Sequence, residues 1–577
     1  MSIKDYIPIL NWGPEYSSGL FKSDLAAGLT VGVMLIPQGM AYAMIAGLPP
    51  IYGLYASTIP LIIYALLGTS RQLAVGPVAM VSLLTAAGVG TLAQSGTAEF
   101  IALAIVLALM VGTIQFLMGA FRLGFLVNFL SHPVISGFTS AAALIIGLSQ
   151  LKHLLGIQIP RSHHVHEIIG HAIGKWSEIN PYAVGIGLVG ILIIVGIKKI
   201  HRSIPAQLVA VIFGVLAVWI GGMTAYGVKI VGDIPAGLPA FKFSGFELDQ
   251  AKSLLPIALT IAFVSFMESI AVAKAIQAKR KNYKVSANQE LMALGIANIA
   301  GSFFQSYPVT GGFSRTAVND QAGAKTGMAS IISAALVILT LLFLTPLFYY
   351  LPNAILASVI LVAVAGLIDY KEAIKLWKVD RTDFFMLIIT FFTTLAFGIE
   401  QGIGVGVILS LVLLIFRTAY PHHAELGQVP GTEAYRNKNR FKDVIVRDDL
   451  VIMRFDAQLY FANIDHFQKA LDNYIDLKKG PIKAVILNFE SINNIDSSGL
   501  HFIEEIHEAT ERGHMSLLFT GVKGPVRDKM QKSDLLEKIG DEQFFLTVQN
   551  AVDSIDQSVK ENPDSFSEYT MQTNEYS

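Results

Sequence analysis

The chain has 577 residues, 53% of them hydrophobic and 15% charged, with a mean hydropathy of +0.55 and a formal net charge of −1. That composition excludes an ordinary soluble globular protein and offers no basic excess for a nucleic acid to recognise. The absence of cysteine excludes disulfides, thiolate metal sites and cysteine nucleophiles.

The first segment, residues 1–23, lacks the basic start and cleavable apolar core of a signal peptide and is expected on the cytoplasmic surface. From residue 24 to 420, apolar runs punctuated by Gly, Pro and charge predict a polytopic α-helical membrane protein. Fourteen membrane elements are expected, centred near residues 35, 60, 82, 108, 140, 190, 212, 264, 294, 316, 337, 360, 390 and 410. The elements near 82 and 316 are short, and each follows a Gly-containing break. With fourteen crossings both termini share one side. Arg71, Arg122, Lys198, Lys199, Arg202, Lys279, Arg280, Lys281, Lys284, Lys371, Lys375, Lys378 and Arg381 all fall in loops on that side. The excess of cations in those loops predicts that both termini are cytoplasmic.

An internal repeat is visible at a constant offset of 230, where Leu29-Thr30 faces Leu259-Thr260, Ala41 faces Ala271 and Gln38 faces Glu268. The two breaks correspond loosely, Gly76 to Met80 with Gly312 to Arg315. Repeats of about 24–225 and 250–420, each with seven helices, require the second copy to be inverted in the membrane. Inverted repeats with paired broken helices mark a secondary transporter whose site lies between the halves at mid-depth.

Three features carry the expected chemistry. Arg315 follows Pro308 and Gly311-Gly312 at the start of a short helical run. An arginine at membrane depth beside helix N–H groups is suited to an oxyanion, with the Ser314 hydroxyl as a further donor. Glu268 lies within an apolar helix and is a candidate proton carrier, alternatively a static partner of Arg315. Residues 161–171 hold four histidines, but His166-Glu167 and His171 are spaced one residue too far for a zinc-protease helix, and no metal site is expected. Gly398, Gly402 and Gly406 read as close helix packing. No Walker motif or cofactor fingerprint appears, so no cofactor is expected.

After Pro421 the chain turns polar. Residues 421–442 are expected to be a linker, 443–558 a small α/β domain, and 559–577 a disordered tail. Within the domain, Val444–Phe455, Ala484–Phe489 and Ser516–Thr520 read as strands, while Asn463–Asp476 and Ser498–Thr510 read as helices.

The segments I-P-Q-G-M-A-Y-A, L-A-V-G-P-V-A-M, S-H-P-V-I-S-G-F and G-G-F-S-R-T-A-V-N resemble the sulfate permease family of anion transporters, and N-I-D-S-S-G-L (494–500) resembles the STAS domain. The resemblance covers almost the whole chain. It implies a seven-plus-seven inverted repeat with core and gate domains, a homodimer, and a cytoplasmic STAS domain open to a further partner. It places the anion between the third and tenth helix N-termini, flanked by the first helix, at Gln38, Tyr42, Val78, Ala79, Met80, Phe313, Ser314 and Arg315. The family's cation-coupling position falls on Glu268. Sodium-coupled bicarbonate members carry Asp there with a hydroxyl residue one turn on; Glu268 and Val272 depart from that pattern and favour protons. In STAS relatives a Ser or Thr directly after the Asp of this motif, here Ser497, can be phosphorylated, although Asp496 and Ser497 also suit a helix cap. The expected function is proton-coupled anion symport by alternating access in the cell (inner) membrane, with sulfate the first substrate expected. The alternatives are sodium-coupled bicarbonate transport, dicarboxylate transport, and an anion exchanger or channel.

Overall fold

The computed structural model describes residues 7–125, 131–159, 165–200, 205–242, 248–280 and 283–561. Arg202, Lys281, residues 161–164 of the histidine stretch and the tail beyond Glu561 lie outside the described residues. The chain forms two compact units, Met1–Ser410 and Leu411–Ser577.

Each of the fourteen expected centres falls within a helix. These are α1 (Ser18–Ala46), α2 (Ile59–Leu67), α3 (Ala79–Gly90), α4 (Ala98–Ala120), α5 (His132–Ser149), α6 (Pro181–Ile200), α7 (Ala206–Gly221), α8 (Leu248–Arg280), α9 (Ala287–Phe303), α10 (Phe313–Gln321), α11 (Met328–Leu339), α12 (Asn353–Ala365), α13 (Arg381–Phe397) and α14 (Ile399–Ala419). Among the described residues, seven helical stretches are long and apolar enough to cross a membrane, including those built on α1, α4, α5 and α8. Helices α3 and α10 have only 12 and 9 residues. At 1.5 Å per residue they rise roughly 18 and 14 Å, against about 30 Å of bilayer hydrocarbon, so each reaches only part-way.

The first four helices of each half, α1–α4 and α8–α11, pack chiefly on one another, while α5–α7 pack with α12 and α13. Small residues make the close crossings possible. A Cβ on Gly112 of α4 would meet the Gly295 carbonyl oxygen at 2.7 Å, and one on Gly295 of α9 would meet the Phe116 amide nitrogen at 2.5 Å. Gly28 of α1 is equally tight against α11, whose Ser333 hydroxyl donates to the Gly28 carbonyl at 2.7 Å. Gly402 and Gly406 fit the packing expectation, since a Cβ there would collide with Thr394 and Val134. Gly398 does not. With φ +105 it is the turn between α13 and α14, a conformation that L side chains rarely adopt.

In the second unit a six-stranded sheet runs in the order β4-β3-β5-β6-β7-β8, with β3 (His423–Gln428), β4 (Tyr435–Asn437), β5 (Leu450–Phe455), β6 (Ala484–Asn488), β7 (Ser516–Thr520) and β8 (Phe544–Phe545). Strands β5 to β8 are parallel and β3 is antiparallel to both its neighbours. Val451, Val485 and Leu517 pack with Phe467, Phe502 and Val526 on one face. Leu450, Ile486 and Leu518 pack with Val552 and Ile555 of the last helix on the other. The linker expected at 421–442 instead supplies β3 and β4. Only alternate positions of β3, such as Ala424 and Leu426, are apolar and enter the core, which leaves a short polar-looking run.

Overpacking a crossing whose neighbours are backbone atoms leaves nothing that can yield. Gly295→Leu is therefore expected to destabilise the detergent-purified protein by about 1–3 kcal/mol or more. Gly185→Leu, where a Cβ meets nothing within 4 Å, should be near neutral in the same thermal unfolding measurement.

Candidate functional site

The two short helices begin from two short strands, β1 (Val75–Gly76) and β2 (Thr310–Gly311), which pair antiparallel, Val75 with Gly311 and Gly76 with Thr310. Antiparallel pairing of equivalent segments is the arrangement that a two-fold axis between inverted halves requires. Counted from the two helix starts, Arg315 corresponds to the apolar Val81. Neither N-terminus has a side-chain cap. Both therefore keep unpaired N–H groups and the positive end of a helix dipole.

Arg315 is 2% exposed. Its Nη1 donates to the Pro77 carbonyl oxygen at 2.5 Å, which ties the tenth helix to the break before the third. Its Nε and Nη2 are buried with no partner. Glycines make room for the guanidinium: a Cβ on Gly312 would lie 3.0 Å from Cζ and Nη2, and one on Gly76 would lie 3.4 Å from Nη2. Gln38 and Tyr42 of α1 are buried, and the Gln38 Oε1 also lacks a partner. Val78, Ala79 and Met80 are buried at the start of α3, whereas Phe313 and Ser314 are exposed at the start of α10.

Glu268 is half-buried on α8 and lies within electrostatic reach of Arg315, as do Tyr42 and Tyr307. Among the described residues no ion pair joins Glu268 to Arg315, so the static-pair alternative is not the observed arrangement. The neighbouring Ser269 is committed to structure. Its Oγ accepts from the Gly311 amide at 2.8 Å and pairs with the Thr310 hydroxyl at 2.6 Å.

Sequence reasoning missed this support. Thr310 donates to the Ser265 carbonyl at 2.6 Å, and Asn298 of α9 accepts from the Val309 amide at 2.8 Å. Asn298 also donates to Gln115 of α4, which donates to Ser265. On the other side, Thr316 accepts from the Ala74 amide and Asn319 donates to the Gln72 carbonyl. Polar side chains at Gln115 and Asn298 inside apolar helices were the available signal.

In the second unit, Asp496 caps the helix Ser497–Arg512 through Gly499 N at 2.8 Å, and its other oxygen accepts from Phe461 N at 3.0 Å. The capping role belongs to Asp496; Ser497 is exposed at the first helical position.

Residues 21–390 match the Sulfate permease family, and residues 442–551 match the STAS domain. The chain belongs to the sulfate permease family. It is similar to "Sulfate transporter 4.1, chloroplastic" of Arabidopsis thaliana, with 42% identity over 96% of this chain and 83% of that protein. "High affinity sulfate transporter 2" of Stylosanthes hamata is 34% identical over 96% of this chain and 86% of its own length. Its fold is that of the murine Solute Carrier 26 family member A9 anion transporter, solved in an inward-facing state, with a TM-score of 0.89 and 25% identity over 96% of this chain and 94% of that one. This sulfate permease family member is thus an anion transporter rather than an enzyme, a multi-pass membrane protein with a C-terminal STAS domain.

Gly312 has φ −91, so alanine there meets no backbone strain and acts through its neighbours, the guanidinium at 3.0 Å first and Val78 Cγ1 at 3.3 Å second. Gly312→Ala is expected to leave thermal stability within about 1 kcal/mol while weakening anion uptake about tenfold, since small misplacements in a site are costly. Initial uptake rates into proteoliposomes measure the effect.

Proposed function

We propose that this protein is a proton-coupled sulfate symporter working by alternating access. The observation that carries the reading is Arg315, buried between two helix N-termini with Nε and Nη2 unpartnered. A tetrahedral oxyanion placed there receives two guanidinium hydrogen bonds and the field of both helix ends. The curated relatives named as sulfate transporters support sulfate as that oxyanion.

Glu268 is the proposed proton carrier. A carboxyl that is protonated while the anion is bound lowers the net charge moved across the bilayer. Protons are favoured over sodium because the hydroxyls of Ser269 and Thr310 already spend their oxygens on the strand of the break, and the Val272 side chain contributes no ligand. Fourteen crossings with both termini cytoplasmic, a homodimer, and a regulatory surface on the STAS domain that includes Ser497 belong to the same reading.

Labelled sulfate uptake into proteoliposomes, with proton and sodium gradients imposed separately, tests it. Uptake should follow an inward proton gradient. Arg315→Ala should lower it by two orders of magnitude or more, roughly the effect of removing a donor to a buried charge. Glu268→Gln should still bind sulfate but lose the response to the imposed pH gradient. Uptake that occurs only with sodium, or that ignores both gradients, would sink the proton assignment. Competition by bicarbonate, chloride and succinate ranks the other anions.

A further inference from the structure

A second cleft lies away from the anion site, where the ends of α4 and α9 meet the loop after α2 and the short helix Ile9–Trp12. Its volume is about 810 Å³, within the range of roughly 300–1,000 Å³ typical of small-molecule sites. The lining combines two chemistries. Phe116 of α4 and Met292 and Ile296 of α9 are apolar, and Arg71, Arg122 and Lys284 bring three cations. Ile7, Pro8, Asn11 and Trp12 line it from the N-terminal segment.

The cations are available. Arg122 and Lys284 are exposed and Arg71 is half-buried, its guanidinium 5.7 Å above the Tyr283 ring. Among the described residues none of the three has a carboxylate within 4.0 Å. The buried acid on α9, Glu290, does not neutralise them by contact. Its Oε1 accepts from Thr69 N, Thr69 Oγ1 and Ser70 N, and its Oε2 accepts from Tyr64 Oη. Three cations thus line an apolar cleft without an ion pair among the described residues. They are suited to a ligand that is anionic at one end and apolar at the other.

We propose that this cleft binds a phosphate ester bearing an apolar body, with the phosphate on Arg71, Arg122 and Lys284 and the body against Phe116, Met292 and Ile296. The bilayer supplies such a molecule as an anionic phospholipid, and the aqueous phase supplies it as a nucleotide-like ester. Because the helix Ile9–Trp12 forms part of the wall, occupancy would hold the N-terminal segment against α4 and α9.

The test uses the purified full-length protein in neutral detergent, with native mass spectrometry and thermal unfolding. Phosphatidylglycerol, phosphatidylcholine and adenosine monophosphate are titrated separately. Wild type should bind phosphatidylglycerol at least about tenfold more tightly than the Arg71→Gln/Arg122→Gln/Lys284→Gln variant, with no such difference for phosphatidylcholine. A difference seen with adenosine monophosphate alone assigns the soluble source and keeps the site. Lys284→Gln alone changes one exposed side chain. It should weaken binding about threefold, and it decides the matter if the triple variant unfolds. No loss for either phosphate probe in the variants overturns the proposal, as does an equal loss for phosphatidylcholine. The transport site is the same in every protein compared, so anion binding there cancels.

Discussion

The pairing of β1 with β2, locked by Arg315 on the Pro77 carbonyl, is the contact on which the transport unit depends. Breaking two helices inside a bilayer exposes backbone groups that no lipid can satisfy, at several kcal/mol each. The two breaks satisfy one another, strand against strand. What remains unpaired is concentrated at the helix N-termini and on the guanidinium. The cost of the breaks is thereby converted into a site where donors converge.

That conversion depends on rigidity. A guanidinium with two buried, unpartnered N–H groups is costly, since each missing bond to a charged donor forfeits roughly 1.5–3 kcal/mol. It stays in place because the backbone around it is fixed from both sides. Asn298, Gln115, Ser265, Ser269 and Thr310 hold one strand, while Thr316 and Asn319 hold the other. All seven lie on the helices that pack as one group, α4 and α8 to α10 together with β2. The donors are preorganised, so an anion bound as proposed would gain their full electrostatic benefit without reorganising the protein.

Much of this was legible in the sequence, for a physical reason. Apolar runs of bilayer length, glycine and proline breaks, and an arginine inside such a run are each rare enough to identify, so Arg315, Glu268 and the helix centres were within reach. The pairing of the two breaks was less accessible. Two-residue strands leave no periodic pattern to read, although Val75 sits opposite Gly311 and Gly76 opposite Thr310. The strand His423–Gln428 was hidden for a related reason. It pairs on both sides, but only Ala424 and Leu426 join the apolar core while the charged Glu425 is buried too, so its composition imitates a linker. Gly398 failed the packing reading because a positive φ and a tight crossing use the same residue and leave the same spacing.

The asymmetry between the halves carries the last step. A perfect inverted repeat would place the same group on both helices at each level, and two arginines facing one anion would repel each other and demand two counter-charges. Here Arg315 answers to Val81, and Glu268 to Gln38. One cation and one carboxyl remain in an otherwise neutral cradle. A cation and a carboxyl of opposite charge limit the cost of holding either below the membrane surface. In the proposed cycle an anion would upset that balance by one or two charges, and a proton on the carboxyl would restore part of it. The inverted repeat provides the shape of the site, and its departures from symmetry provide the charge logic.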